Sequence, residues 1–558
     1  MSRSRIVGIL LFLGVFAWAG CASKDWPVYR YKAARTADQP NASSLSDPSR
    51  VPGLHRIWEF RPSSVGDPDT VPGGFTGADG FVASPTVYRG KVFVGHRNGR
   101  FYALDANTGT LIWRYPVPPQ ALLQNYPGNA SSPGIASSGT IAKVWVPWFW
   151  FFKRPVKVVI FGAPDPSVCV GTACGSGRLW ALNVDTGALV WKSDVVANLT
   201  GLTWGSLTEL HERIGYSSPV VANGKVYVGI ADNGDSPIQL GRLAAVGLQT
   251  GTRVGTFSFV SSGLPPGAPP NTLPRGGGIW SSPAASGDTV FVTTGNGCRP
   301  GNGGCTAEPA NNHALSMLKL NGSTGGVLWK LQPVPWALDV DPDWAATPLV
   351  ARTSCGRLTV APMKDGYTHA VNADTGAVVW SFPFVTGGLP FTYGSHGDWG
   401  WTRPAAAWKD VIFAITGGFP ITTSSRYDGY NRLYALNACA PYNQADTGRV
   451  RWIADIPGLD YTGQPTVTGG IVYVGNSQGQ LFAIADPVVA PAVGTRCSNP
   501  LPAYASISVC VASGFEAVAS PKVLATVQLS GGIRTEPVLA RGRVYVATTA
   551  GRLHALEP

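Results

Sequence analysis

The stretch GRFYALDANTGTLIW, residues 99–113, reads as strand, tight turn, strand. Asn98-Gly99 supplies the positive φ that a tight hairpin turn needs, and Asp105 with Thr108-Gly109 closes the next turn through side-chain bonds to its own backbone. Phe101, Ala103 and Asp105 alternate with Tyr102 and Leu104, so each face of the strand meets a different neighbour.

The stretch recurs. Copies stand at 177–191 (GRLWALNVDTGALVW), 241–254, 314–329, 366–380 (GYTHAVNADTGAVVW), 431–452, 479–487 and 551–558, which makes eight units. Most copies follow a strand pair joined by a short turn, as in SSPVVANGKVYVG and QPTVTGGIVYVG, so each unit is a four-stranded antiparallel meander. Trp113, Trp191, Trp329, Trp380 and Trp452 end the fourth strand, where a large ring fills the space between neighbouring sheets. One such sheet cannot bury both of its faces. The sheets must therefore stack radially, and the expected fold is all-β, an eight-bladed β-propeller of four-stranded antiparallel blades. The chain stops at Pro558 after the third strand of the last unit, while GLHRIWEF (53–60) has the pattern of the missing fourth strand. N-terminal strand pairing with the C-terminal blade is thus expected to close the ring, with Trp58 at the docking position.

Composition agrees with this reading. The 558 residues hold 69 Gly, 46 Pro, 19 Trp, 18 Tyr and 21 Phe, and only 13% are charged, which excludes a disordered chain and favours β-structure with many turns. Residues 1–20 have a basic start (Arg3, Arg5) and an apolar run too short for a stable span, and are expected to be an export signal. WAGC, ending at Cys21, resembles the bacterial lipobox, in which the cysteine is lipidated. Trp18 departs from that pattern, and ordinary signal cleavage is the alternative. With no Asp just after Cys21, the resemblance implies the periplasmic side of the outer membrane. The expected organisation is a signal at 1–20, an N-terminal linker or entry segment at 21–50 and the propeller at 51–558.

Eight further cysteines in an exported chain imply an oxidising compartment. Short-range partners are Cys169 with Cys174, Cys298 with Cys305, and Cys497 with Cys510, which leaves Cys355 and Cys439. There is no CxxCH for an attached haem, and the seven His are scattered. The net charge of +11 suits an anionic membrane or an acidic protein. Nucleic acid is the poorest partner, because export removes the opportunity.

The repeat G-x-L-x-A-L-x-x-x-T-G-x-x-x-W resembles that of the pyrroloquinoline quinone (PQQ) propellers, and DWPVYRYKAARTADQP (25–40) is similar to that family's N-terminal segment. Two occupations share the repeat. One is PQQ-dependent oxidation of alcohols and polyols; the other is the cofactor-free lipoprotein scaffold of outer-membrane assembly. The enzymatic resemblance implies roles for four residues: Trp280 (GGGIWSSP) under the quinone plane, Asn296 (TTGNG) as a metal ligand, Asp343 (DPDWAATP) as the catalytic base, and Lys364 (MKDG) at the quinone oxygens. An aromatic face suits a flat quinone, and hard oxygens suit a Ca²⁺ acting as Lewis acid. Where those enzymes carry a metal-binding Glu in the third blade, this chain offers Asp232 or Asp235. Ala345 stands where resembling lanthanide enzymes carry a second carboxylate, which favours Ca²⁺. Trp399 and Trp401, in GSHGDWGWTRP, are further candidates to line the cofactor.

The dehydrogenase reading expects a charged axial site around Asp343, Asn296 and Lys364 with a tryptophan below. The scaffold reading expects these groups apart or satisfied locally. Without a haem motif, the enzyme also requires a separate electron acceptor, a cytochrome or a membrane quinone. One insertion belongs to neither reading: KVWVPWFWFFKRPVK (143–157) packs six aromatics among Lys143, Lys153, Arg154 and Lys157. It suits a membrane surface, a partner groove, or a hairpin folded over its own blade.

Overall fold

The computed structural model describes residues 24–70, 80–124, 134–170, 173–194, 214, 216–231, 241–258, 277–297, 312–335, 342–344, 346–383, 403–415, 431–440, 449–458, 462–488 and 521–558. They form eight four-stranded antiparallel sheets, with no helix beyond two short 3-10 turns. Blades 1 to 7 span 86–115, 140–192, 220–258, 284–331, 349–383, 406–456 and 466–528. Blade 8 takes three strands from 538–557 and its outer strand from His55–Phe60, which pairs antiparallel with Leu553–Glu557. The expected closure is therefore present.

The repeat turn explains how the blades dock. Asp105 Oδ1 accepts from the backbone N–H groups of Asn107 and Thr108 at 2.8 and 3.0 Å, and Asn183 and Asn372 do the same in blades 2 and 5. The chain then passes through Gly109 at φ +71°. A β-carbon there would lie 2.6 Å from the ring of Trp58, the tryptophan of the blade before it round the ring. The same relation joins Gly187 to Trp113, Gly251 to Trp191 and Gly376 to Trp329. Three of these indoles also donate to a neighbouring-blade carbonyl, Trp58 to Ala106, Trp113 to Val184 and Trp329 to Ala373, as does Trp380 to Ala438. The Thr-Gly of one repeat and the Trp of another thus form one joint.

Alternation along the third strand supplies the rest. Phe101 and Ala103 pack with Val159 and Phe161 of blade 2, while Tyr102 and Leu104 pack with Val544 and Tyr545 of blade 8. The apolar core is accordingly spread between blades, and one cluster runs continuously through blades 7, 8 and 1.

Residues 24–39 cross one end of the axis and stitch the innermost strands together. Backbone bonds run between Trp26 and Val87, Pro27 and Ile141, Ala33 and Ala285, Ala34 and Val350, Thr36 and Ala407, and Ala37 and Val467. Arg35, fully buried, donates to the carbonyls of Pro283, Tyr29, Ser218 and Pro219, which covers blade 3. Arg30 donates to Pro465 and Ala405, and faces the buried Glu536 at 3.6 Å. Burial pushes the Glu536 carboxyl upward against the pull of Arg30. Residues 24–39, within the expected linker or entry segment, thus form a plug touching every blade.

A belt of hydroxyls surrounds the axis above this plug. The residue two places before each innermost strand is Ser84, Ser138, Ser218, Ser282 and Thr347 in blades 1 to 5. Each hydroxyl accepts from the equivalent backbone N–H of the preceding blade at 2.8–3.2 Å, beginning with Glu536 N–H to Ser84. Cys355 and Cys439 form a disulfide between blades 5 and 6. Cys169 and Cys174 are register partners on adjacent strands of blade 2.

Candidate functional site

The loops before each innermost strand and after each second strand lie at the end of the propeller opposite the short hairpin turns. Four such loops in blades 4 and 5 carry Trp280, Asn296, Asp343 and Lys364. Three of these side chains meet directly. Lys364 Nζ lies 2.7 Å from Asp343 Oδ1, Trp280 Nε1 donates to Asp343 Oδ2 at 2.8 Å, and Lys364 Nζ sits 5.2 Å from the Trp280 ring centroid. Asp343 and Lys364 are buried, at 3% and 9% exposure, so the pair is shielded from water and strongly coupled.

Asn296 is buried beside them, and glycines make that approach possible. Its carbonyl accepts from Gly277 N–H at 2.8 Å, and Gly295 N–H donates to Gly278 at 2.7 Å. A β-carbon on Gly295 would come within 2.9 Å of the Gly278 oxygen and 3.6 Å of Asp343 Oδ2. Behind Lys364, Asp365 bonds His369 at 2.8 Å, whose other ring nitrogen meets Ser381 at 2.8 Å.

Trp280 also walls an axial cavity of about 90 Å³. Its lining comes largely from two repeat positions, two and four residues before each innermost strand. Tyr29 of the plug also lines the cavity, its hydroxyl bonded to Gln464 at 2.6 Å and its pKa pushed up to about 12 by burial. Two cations on the lining, Arg403 and Arg534, escaped sequence reasoning. The signal for Arg534 was present, since it occupies in blade 8 the repeat position that Trp280 occupies in blade 4.

Asp232, Asp235, Trp399 and Trp401 lie outside the described residues, as do Cys21, Cys298, Cys305, Cys497 and Cys510. Among the described residues no three His, Cys, Asp or Glu side chains converge.

An eight-bladed ring with an aromatic, cationic site on its axis defines a class, and the sequence places the chain in it. The chain belongs to the family described as glucose/ethanol/alcohol dehydrogenase, beta-propeller domain, whose model matches residues 26–390. A second model, described as outer membrane protein assembly factor BamB, matches residues 364–487. Similar curated proteins include the quinone alcohol dehydrogenase, dehydrogenase subunit, of Gluconobacter oxydans (strain 621H), 25% identical over 56% of this chain and 39% of that protein. The quinoprotein glucose dehydrogenase of Escherichia coli (strain K12) is 23% identical over 68% of this chain and 49% of that protein. The chain thus spans half or less of the length of the curated relatives it matches. Similar solved structures include a europium-containing methanol dehydrogenase (TM-score 0.62, 16% identity, 96% of this chain and 98% of that one). Another is the quinohemoprotein alcohol dehydrogenase from Comamonas testosteroni (TM-score 0.61, 18% identity, 96% of this chain and 81% of that one). These likenesses establish the fold.

The side chains present suit the family's cofactor. A flat, anionic quinone needs a π face and cations, and Trp280 with Lys364, Arg403 and Arg534 supplies both. For Ca²⁺, which takes six to eight oxygens, the described site offers the Asn296 amide and the Asp343 carboxylate.

Proposed function

We propose that this chain is an exported quinoprotein that binds PQQ with Ca²⁺ and oxidises an alcohol or polyol, delivering electrons to a separate cytochrome or membrane quinone. The observation that carries the reading is the convergence of Trp280, Asp343 and Lys364 on one axial site in a chain of this family. Bound PQQ would supply a two-electron acceptor, and Ca²⁺ a Lewis acid.

The chain's own residues do the rest. Trp280 offers its ring face as a floor, and its indole N–H fixes Asp343 Oδ2, so the carboxylate is oriented before substrate arrives. Asp343 takes the hydroxyl proton of the alcohol as general base. Lys364 lies against that carboxylate and offers positive charge where negative charge develops. Burial of the pair keeps water away from the reacting centre.

On the same reading the chain sits on the periplasmic side of the envelope, attached to the outer membrane through Cys21, a reading supported by the lipobox-like WAGC. A second reading, a cofactor-free scaffold, is favoured by one observation: both Asp343 oxygens already meet donors from Lys364 and Trp280. Titration of the apo-protein with PQQ, with and without Ca²⁺, decides between them. Stoichiometric Ca²⁺-dependent binding that is lost in Asn296→Ala/Lys364→Ala supports the quinoprotein. No binding by the parent protein supports the scaffold.

A further inference from the structure

All eight blades join their first two strands through a two-residue turn, as between Tyr88 and Lys91 or Ala540 and Arg543, but in blade 2 that turn, Trp150-Phe151, comes much later along the strands. The register of blade 2 continues beyond Ala142↔Val158, through Lys143↔Lys157 to Phe149↔Phe152, so the hairpin projects about 20 Å farther than its counterparts.

Its two halves differ. Val144, Val146 and Val156 pack against the cluster that contains Val226 and Val228 of blade 3, which anchors the base. The tip packs on nothing comparable: Trp148, Phe149, Trp150, Phe151 and Phe152 are 68%, 62%, 81%, 93% and 66% exposed. The hairpin is therefore not folded over its own blade. So many adjacent exposed aromatics form a patch that water disfavours, and indole rings partition well into the membrane interface.

The charge around this tip has one sign. From Gly134 to Pro164 the chain contains no acidic residue, while Lys143, Lys153, Arg154 and Lys157 flank the aromatics. None of the four cations forms an ion pair with an acid among the described residues. Lys143 and Lys157 sit opposite each other across the hairpin, and burial, Arg89 and Lys143 all pull the Lys157 pKa down. Such a cluster is complementary to a surface of negative charge.

The hairpin also shares a face with the start of the described chain. Lys24 accepts from Arg541 N–H in the matching turn of blade 8, and Asp25 accepts from Arg89 N–H in that of blade 1. Lys24 is where residues 1–23, with their apolar run and Cys21, join the plug. Blades 8, 1 and 2 are neighbours, so both features point to one side of the molecule.

We propose that the tip of this hairpin, residues 148–152 with Lys143, Lys153, Arg154 and Lys157 around it, inserts into the interface of an anionic lipid bilayer. The aromatics enter the headgroup boundary, the cations meet lipid phosphates, and the propeller is held with its plugged end toward the membrane. The tip adds a second contact to any lipid attachment at Cys21 and so fixes how the propeller faces the surface.

The test compares the full chain carrying Cys21→Ser, which cannot be acylated, with the same chain carrying Trp148→Ser, Phe149→Ser, Trp150→Ser and Phe151→Ser. Both are sedimented with phosphatidylcholine vesicles with and without phosphatidylglycerol. The four-serine protein should partition about tenfold less onto the anionic vesicles. Lys143→Glu/Lys153→Glu/Arg154→Glu should lose the preference for phosphatidylglycerol and the sensitivity to salt. Quenching of tryptophan fluorescence by brominated acyl chains reads the tip directly, and should fall in Trp148→Ser/Trp150→Ser. Since these side chains are exposed, unchanged melting verifies that the variants are folded. Equal partitioning and equal quenching of parent and variants would overturn the proposal. So would dissociation of an oligomer on serine substitution without change in vesicle binding, which would assign the patch to a second copy of this chain.

Discussion

Lys364 and Asp343 form a buried ion pair of 2.7 Å across two loops of blade 5, and Trp280 of blade 4 clamps the other oxygen of the same carboxylate. A base held in this way is oriented before substrate binds. If the proposed chemistry holds, Asp343→Asn should preserve quinone binding within a few-fold but lower turnover by about 10²–10⁴-fold, the usual worth of a general base. A dye-linked alcohol oxidation assay beside quinone absorbance separates the two effects. Full turnover in Asp343→Asn would remove its assigned role.

The Gly109–Trp58 joint carries the closure of the ring. Gly109→Ala places a methyl against the Trp58 ring and puts an alanine at φ +71°, which should cost about 2–4 kcal/mol. Gly90→Ala shares the positive φ, at +77°, but meets nothing within 4 Å, so about 1 kcal/mol is expected. Denaturant unfolding of the two proteins side by side measures the difference. Equal losses would mean that the indole contact contributes nothing.

The Cys355–Cys439 disulfide closes a loop of 84 residues between blades 5 and 6. Cross-links of that span restrict the unfolded chain, so Cys355→Ser/Cys439→Ser should lose about 2–4 kcal/mol in oxidising buffer. Reducing agent should lower the parent toward the variant and leave the variant unchanged if this is the bridge that matters.

Acid should weaken the fold through two histidines. His96 Nδ1 accepts from Asn98 N–H, so Nε2 carries the proton and donates to the Asp69 carbonyl at 2.9 Å. Burial lowers the pKa of His96 to about 4, and that of His554, beside Glu59, also to about 4. The unfolded chain takes up these protons below its own pKa of about 6.5, while the folded chain does not until about 4. Stability is therefore fully present above pH 6.5 and falls as pH drops through that window, by about 2–3 kcal/mol for each histidine. Asp38, raised to about 6 by burial, acts in the opposite sense and offsets part of the loss. Melting temperatures from pH 7 to pH 4 should show a net decline, and His96→Asn should flatten it.

The plug depends on a charge that cannot be left alone. Glu536→Leu strips the buried Arg30 of its carboxylate and of the acceptor used by Arg30 N–H and Trp26 Nε1. A loss of about 3–5 kcal/mol is expected by thermal or chemical unfolding. A loss below about 1 kcal/mol would show that the surrounding carbonyls suffice for Arg30.

Local chemistry determined the blade. The Asp or Asn turn, the Thr-Gly at positive φ, the closing tryptophan and the alternation of the third strand are all short-range patterns, so the eight units and the closing strand at 53–60 were legible in the chain. Only the tertiary structure decided what the units build together. Nothing local marks Arg30 and Arg35, yet converging carbonyls from several blades bury both. Trp280, Asp343 and Lys364 are separated by 63 and 21 residues, and resemblance could name them but not bond them. Arg534 joins Trp280 on the axis for the same reason: radial stacking superposes equivalent repeat positions on one ring, whatever their distance along the chain.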